Sequence, residues 1–384
     1  MKFSLTNYAK LWSSIEGRNV MRAILNNPEL IKPNFTFWRQ DFGVDREITP
    51  TNARGLASFT SYMKERDNAF MMDMRAPLGD TIPVEHRGGR SYSGSIPDYS
   101  ARGYVETAPE RMQREKLMDQ FADVRWLADF AQDELQRMLN QANQTLSYQA
   151  AMLLSTGNIV YKKGEGIQGA VIKADIPKEN FMSCGKEVWT SPSCNLISQM
   201  IEIQDKIKDK LEVGMSFQWQ ITKEMWQNVF MKNKQVQEWA RFVRLQNDGV
   251  VLPETYALLS ETVKSALSKY EGLDPIVIVE EKQKDVVEGV VHGWAKNTAV
   301  YRPVGLAGVI RRASILDKEV YEKYGNKVNS YNFTEAMDGL GVFMNSEIVN
   351  GNFSEWHTDF FMKAVPTLEE FLYHYIINTA QADE

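Results

Sequence analysis

Residues 82–110 read IPVEHRGGRSYSGSIPDYSARGYVETAPE. Glycines and prolines interrupt every apolar run in this stretch, and Tyr92, Tyr99 and Tyr104 are spread between them, so it cannot bury a core of its own. Two short strand-like runs, 69–74 and 81–87, lead up to Gly88 and Gly89. The expectation over residues 68–107 is therefore a long two-stranded excursion with its tip at that glycine pair. An isolated hairpin is marginal in water, so such a ribbon needs a partner surface. Arg87, Arg90 and Arg102 can meet the phosphates of a single strand whose bases stack on the tyrosines, or the carboxylates of a neighbouring subunit. The net charge favours the second.

Immediately downstream, Leu117, Phe121, Val124, Ala128, Ala131, Leu135, Met138, Ala142, Leu146, Gln149 and Leu153 recur by threes and fours. This single stripe predicts a helix over 110–155, with Pro109 in its first turn and Gly157 at its end. At about 1.5 Å per residue it spans roughly 60 Å, the length of a spine rather than of an ordinary globular helix.

Upstream, residues 1–50 carry Phe3, Leu5, Tyr8, Leu11, Trp12 and Ile15, then the aromatics Phe35, Phe37, Trp38 and Phe42 among Pro28, Pro33 and Pro50. The reading is a short helix followed by an extended segment that packs on something else. Deleting 1–40 is expected to leave folded, assembly-defective subunits.

Beyond the spine, glycines 164, 166 and 169 punctuate a hairpin (159–162 with 170–174), and Leu196, Met200, Ile203, Ile207 and Leu211 mark one face of a helix. Strands at 217–221, 274–281, 298–302, 341–344 and 355–364, the last closing on Pro366, alternate with helices at 223–231, 236–245 and 254–269. The class is α+β, without internal repeats.

Chemistry is harder to find. Forty-four Lys and Arg against fifty Asp and Glu give a net charge of −6, which excludes a strongly basic nucleic-acid binder. The start lacks a signal-peptide profile and no 18-residue apolar run occurs, so a soluble, cytoplasmically made chain is expected. Cys184 and Cys194 have no ligand pattern around them, and His86, His292, His357 and His374 are scattered, so neither a disulfide framework nor a metal site is expected. No nucleophile elbow, P-loop or dinucleotide fingerprint occurs, and no cofactor is expected. Glu280 with Glu281, or Glu369 with Glu370, are the carboxylate pairs a glycosidase would need, but neighbours in a strand point to opposite faces.

The order of these parts (apolar arm, Gly- and Pro-rich hairpin, spine helix, inserted α+β unit, returning strand) resembles the major capsid proteins of tailed bacteriophages, whose fold is shared with herpesvirus shells. Residues 82–110 are similar to the extended loop of the lambda-type major head protein family, where an RGG turn precedes a Pro- and Tyr-containing strand and the spine. EWHTDFFMKAVPTLEEFLYH, 355–374, is similar to that family's final peripheral strand. Trp226 to Asn233 and GWAKNTAVYRPVGLAG at 293–308 fit its inserted domain more loosely.

The resemblance implies a tailed-phage major capsid protein fold: N-terminal arm 1–50, extended loop region 51–107, peripheral domain with spine helix 108–195, axial domain 196–309 and returning peripheral strands 310–384. It implies a non-enzymatic subunit that assembles with itself, as hexamers and pentamers, into an icosahedral head around DNA that it encloses without sequence-specific binding. Scaffolding protein and portal are the further partners implied, with a decoration protein left open, assembly in the host cytoplasm and no membrane. The start at Met1 is read as leaving scaffolding to a separate protein. Candidate intersubunit contacts are Arg87, Arg90, Tyr92, Tyr99, Arg102, Tyr104, Trp12, Phe35, Phe37 and Trp38. A Lys64 to Asn350 or Asn352 cross-link is conceivable, though no motif places it. The alternative within the fold is an encapsulin-like compartment, and outside it a carbohydrate-active enzyme.

Overall fold

The computed structural model describes residues 36–48, 57–64, 88–107, 124–160, 171–211, 215–249, 253, 257–285, 289–313, 342–349 and 355–382. The elements that organise it are α1 (Trp38–Asp41), β1 (Phe42–Ile48), β2 (Ala57–Lys64), β3 (Gly89–Ile96), β4 (Asp98–Thr107) and α2 (Val124–Thr156). They continue with β5 (Asn158–Val160), β6 (Val171–Lys173), β7 (Phe181–Ser183), α3 (Leu196–Lys208), β8 (Phe217–Thr222), α4 (Lys223–Asn228), α5 (Lys234–Asp248) and α6 (Ser260–Leu267). The rest are β9 (Ile276–Val279), β10 (Gln283–Asp285), β11 (Gly289–Val291), β12 (Thr298–Pro303), β13 (Gly308–Ala313), β14 (Val342–Val349), β15 (Glu355–Leu368) and β16 (Tyr375–Asn378).

A five-stranded sheet in the order β7-β16-β12-β8-β9 separates two hydrophobic cores. Strand side chains alternate between faces, and this sheet sends apolar side chains to both, with Gln220 of β8 and Arg302 of β12 sharing the face of Val300. On β12, Val300 enters the core of the spine helix while Ala299 and Tyr301 enter the core of α3, α5 and α6; on β16, Ile376 goes one way and Tyr375 and Ile377 the other. A single apolar face would have left one of these cores facing solvent.

Helix α2 has 33 residues, about 50 Å at ~1.5 Å per residue. Gly157 ends it at φ +71°, with its N–H bonded to the Leu153 carbonyl; this left-handed position is one glycine adopts without a Cβ penalty. The expected stripe is buried at Met138, Ala142, Leu146, Gln149 and Leu153, and Asn143, Ser147, Ala150, Ala151 and Leu154 are buried beside it. The C-terminal half is thus enclosed on more than one face. The expected helix start at Pro109 lies outside the described residues.

The second sheet runs β1-β13-β15-β14, with β4 also on β15. The first half of the 14-residue β15 lies between β14 and β4, and its second half pairs with β13.

Four expectations are corrected. The arm does not extend to residue 50: β1 pairs in parallel with β13, and Phe37, Trp38 and Phe42 are buried. A deletion through residue 40 would therefore remove core, not only arm. Gly89 is not at the ribbon's tip but opposite Lys64, within a β2–β3 ladder that begins at Ala57 and Ile96. Strand β15 does not stop at Pro366, which sits opposite Ile310 where only β13 flanks β15; an edge tolerates the missing N–H. Finally, residues after 310 do not all return to the spine's core. Tyr373, Tyr375 and Ile377 join Cys184, Trp189 and Cys194 in the core assigned to 196–309.

Candidate assembly site

Strands β2 and β3 pair over Ala57–Lys64 and Gly89–Ile96, and this pair is fixed to the body by aromatic and polar contacts. Tyr92 meets Phe59 and Phe371 edge to face, at centroid distances of 5.9 and 5.3 Å. Its hydroxyl donates to the Leu368 carbonyl at 3.0 Å, and burial pushes its pKa up. Ser61 Oγ donates to Glu369 at 2.9 Å; Arg311 Nη2 donates to the same carboxylate at 2.8 Å and pairs through Nη1 with Asp45. Four segments, β2, the end of β15, β13 and β1, are therefore linked through Glu369 and Arg311.

Of the RGG glycines, Gly89 lies under the Tyr62 ring, which a Cβ there would displace, whereas a Cβ at Gly88 would meet nothing. Tyr62 remains 62% exposed, an apolar surface at the base of the ribbon.

The segment before β1 is tied into both cores. Trp38 Nε1 donates to Asn143 Oδ1 of the spine at 2.9 Å. Asp41 pairs with Arg302 of β12 and accepts from Gln220 Nε2 at 2.9 Å, while Arg302 Nη1 donates to the carbonyls of Pro303 and Gly305 at 2.8 and 2.9 Å. Both charges are buried, and these bonds offset only part of their desolvation, since Asp41 Oδ2 and Arg302 Nε are buried without a hydrogen-bond partner.

The proposed contact residues fall into three groups. Phe37, Trp38 and Tyr92 are buried within their own chain, so they anchor the arm and ribbon rather than reach a neighbour. The aromatic pattern that marked them came from core packing, which uses the same residues as interfaces do. Arg90 is half-exposed, 4.0 Å from Asp175, and Tyr99 is partly buried and accepts a hydrogen bond from Gln149 of α2. Arg102 and Tyr104 lie on β4, where the register with β15 shifts between His357 and Asp359: Val105 and Arg102 are the paired positions, and Gly103 and Tyr104 fall in the bulge. Trp12, Phe35 and Arg87 lie outside the described residues, as do Asn350 and Asn352.

The sequence reading missed other exposed apolar side chains, Phe242 and Leu245 on α5, Leu259 before α6, and Val304 and Leu306 in the β12–β13 turn. The helical period at 242 and 245 was the available signal.

Carboxylates and histidines are placed structurally. Glu280 is exposed and pairs with Lys223 at 2.6 Å, whereas the buried Glu281 accepts from the backbone N–H groups of Gly293 and Trp294, both at 3.1 Å. They differ in exposure, but both lie beyond the end of β9 at Val279, so the expected alternation along a strand is not the cause. His374 is enclosed with Nε2 2.7 Å from the Leu154 carbonyl; burial lowers its pKa to about 4, with the Arg302 charge adding to the shift. That oxygen can only accept, so the neutral ring carries its proton on Nε2. Cys184 and Cys194 are free and buried. Among the described residues no helix is long and apolar enough to cross a membrane.

A family model described as phage major capsid protein E matches residues 64–338. Among solved structures, a prophage protein of Escherichia coli CFT073 described as a capsid protein superposes with a TM-score of 0.55 at 13% identity, over 94% of this chain and 98% of that one. A phage-related protein of Bordetella bronchiseptica RB50 gives a TM-score of 0.45 at 11% identity, over 94% and 96%. The capsid of Myoviridae phage XM1 gives 0.41 at 11% identity, over 90% and 91%. No curated protein sequence matches the chain.

Proposed function

Because this chain belongs to the phage major capsid protein E family, and is accordingly a self-associating structural subunit of a virion capsid, we propose that it forms the icosahedral head of a tailed phage as hexamers and pentamers. The match over residues 64–338 carries this reading. It starts at the last residue of β2, includes the excursion and the spine, and runs past β13.

The physical features support it. A subunit that tiles both fives and sixes needs contacts that survive small changes of angle. Here the paired strands β2 and β3 are fixed to the body by Tyr92, Glu369 and Arg311, and on this reading residues 65–87 between them engage another subunit. Exposed Tyr62, Phe242, Leu245 and Leu259 add apolar surface for neighbours; at ~25 cal/mol per Å2, a few hundred Å2 of such burial supplies several kcal/mol before ordering costs. Repetition round a closed lattice makes modest contacts sufficient. Arg87, Arg90, Arg102 and Tyr104 serve as intersubunit contacts on this reading, with Trp12 and Phe35 from the arm. An acidic wall encloses DNA without holding it, and scaffolding protein and portal are the additional partners, with assembly in the host cytoplasm.

Replacing residues 66–87 by a tight turn between β2 and β3 tests the ribbon's role. The expected product is a folded subunit that sediments as a monomer; normal shells from that variant would contradict the reading.

A further inference from the structure

Two large aliphatic side chains stand in water at one turn: Val304 and Leu306, between β12 and β13, are 54% and 55% exposed. The backbone beneath them is fixed. The buried Arg302 donates through Nη1 to the carbonyls of Pro303 and Gly305, the Val304 N–H bonds to the Ser216 carbonyl at 2.9 Å, and the Ala307 N–H to that of Asp41 at 2.7 Å. Gly305 completes the turn at φ +120°, a conformation open to glycine. A backbone held this way has little freedom left to lose on contact, which favours binding.

The opposite end of the same strands is concave. A cleft of about 890 Å3 takes in Thr222 and Val279, the last residues of β8 and β9, and Asn297 just before β12. Phe37, Met225, Val229 and Trp294 line it with apolar surface. Strand β12 runs antiparallel to β8 with Pro303 opposite Phe217, so turn and cleft are separated by the six residues of β8, roughly 20 Å. A subunit cannot fill its own cleft with its own turn.

Charge is complementary as well. In the cleft, Lys223 and Glu280 pair with each other, and Glu281 is buried on backbone N–H groups beside His292. That leaves the exposed Lys282 and Lys296 against Glu224, and neither lysine has an ion pair with a described residue. Beside the turn, the N–H groups of Glu369 and Glu370 bond to the Ala307 carbonyl; Glu369 pairs with Arg311, whereas Glu370 has no ion pair with a described residue.

With the self-assembly proposed above as premise, the geometry points to a head-to-tail contact in which Val304 and Leu306 of one subunit enter the cleft of the next. Glu370 then meets Lys282 and Lys296 across the rim. A convex element at one end of a sheet and its receptor at the other make a heterologous interface, the kind that closes into rings. The contact lies within capsomers rather than between them.

Paired cysteines test it in assembled, full-length protein. Gln227 lines the cleft from an exposed position, and the native cysteines are buried. Mild oxidation of Val304→Cys with Gln227→Cys should give covalent ladders that stop at five and six chains. A link within one chain is excluded, since a disulfide needs Cα atoms within about 7 Å. The yield of linked dimer should be at least tenfold above that of Val304→Cys with Glu271→Cys, an exposed position outside the cleft wall. Adding Lys282→Glu with Lys296→Glu should lower it at least threefold. Equal yields at both positions, no linked dimer, ladders that run past six, or a yield unchanged by the lysine substitutions would overturn this contact while the shells themselves uphold the assembly reading. A parent chain that stays monomeric at every concentration would overturn both.

Discussion

Arg302 of β12 and Asp41 of α1 form an ion pair buried between the two cores, so the segment that enters the body is locked to the sheet that divides it. The backbone follows the same course: the Ala307 N–H donates to the Asp41 carbonyl at 2.7 Å.

Asp41→Ala leaves the Arg302 guanidinium buried without its counter-charge. A loss of about 3–5 kcal/mol is expected from urea unfolding of unassembled protein, and Arg302→Met in the same chain should recover part of it. A loss below about 1 kcal/mol would show that the pair does not lock the segment.

Tyr92→Phe keeps both edge-to-face ring contacts and removes only the donor to the Leu368 carbonyl. A cost of about 1–2 kcal/mol is expected by the same measurement, with Tyr92→Ala costing about 3–5 kcal/mol because the ring's cavity is added. Equal losses would mean that the hydroxyl, not the ring, holds the ribbon's root.

His374 sets an acid limit. Its folded pKa of about 4 lies below the ordinary 6.5, so between those values the unfolded chain binds more protons than the folded one. Its contribution is complete above pH 6.5 and is lost as pH falls towards 4, by about 3 kcal/mol in all. His374→Gln, which retains an N–H donor for Leu154, should flatten the stability profile across that window; a slope identical to that of the parent would assign the acid sensitivity elsewhere.

Gly308→Ala should be among the most disruptive small substitutions. A Cβ there collides with the Thr367 backbone carbonyl, which cannot move without breaking the β13–β15 ladder. Gly43→Ala meets only the Leu306 side chain, at 3.3 Å, and should be tolerated. Comparable melting temperatures for the two variants would contradict this placement.

The helical elements were legible because their signals are local. The spine's stripe, the Leu196 to Ile207 face of α3 and the glycine at 157 each depend on neighbours three or four residues away. What escaped the sequence depends on distant partners. The run at 42–48 is a strand because β13 lies beside it, and Ile376 and Ile377 form one because β12 and β7 flank them. Nothing near Asp41 in sequence points to Arg302. The aromatics Phe37, Trp38 and Tyr92, read from the sequence as intersubunit contacts, are buried within their own chain; burial in a core and burial by a neighbour leave the same residue types in sequence.

Cryo-electron microscopy of the concentrated, purified chain tests the central claim most directly. The account predicts closed shells or capsomers with five- and six-fold arrangement, each subunit's ribbon lying across the next. A population of well-ordered monomers at every concentration, with the ribbon folded onto its own body, would contradict it.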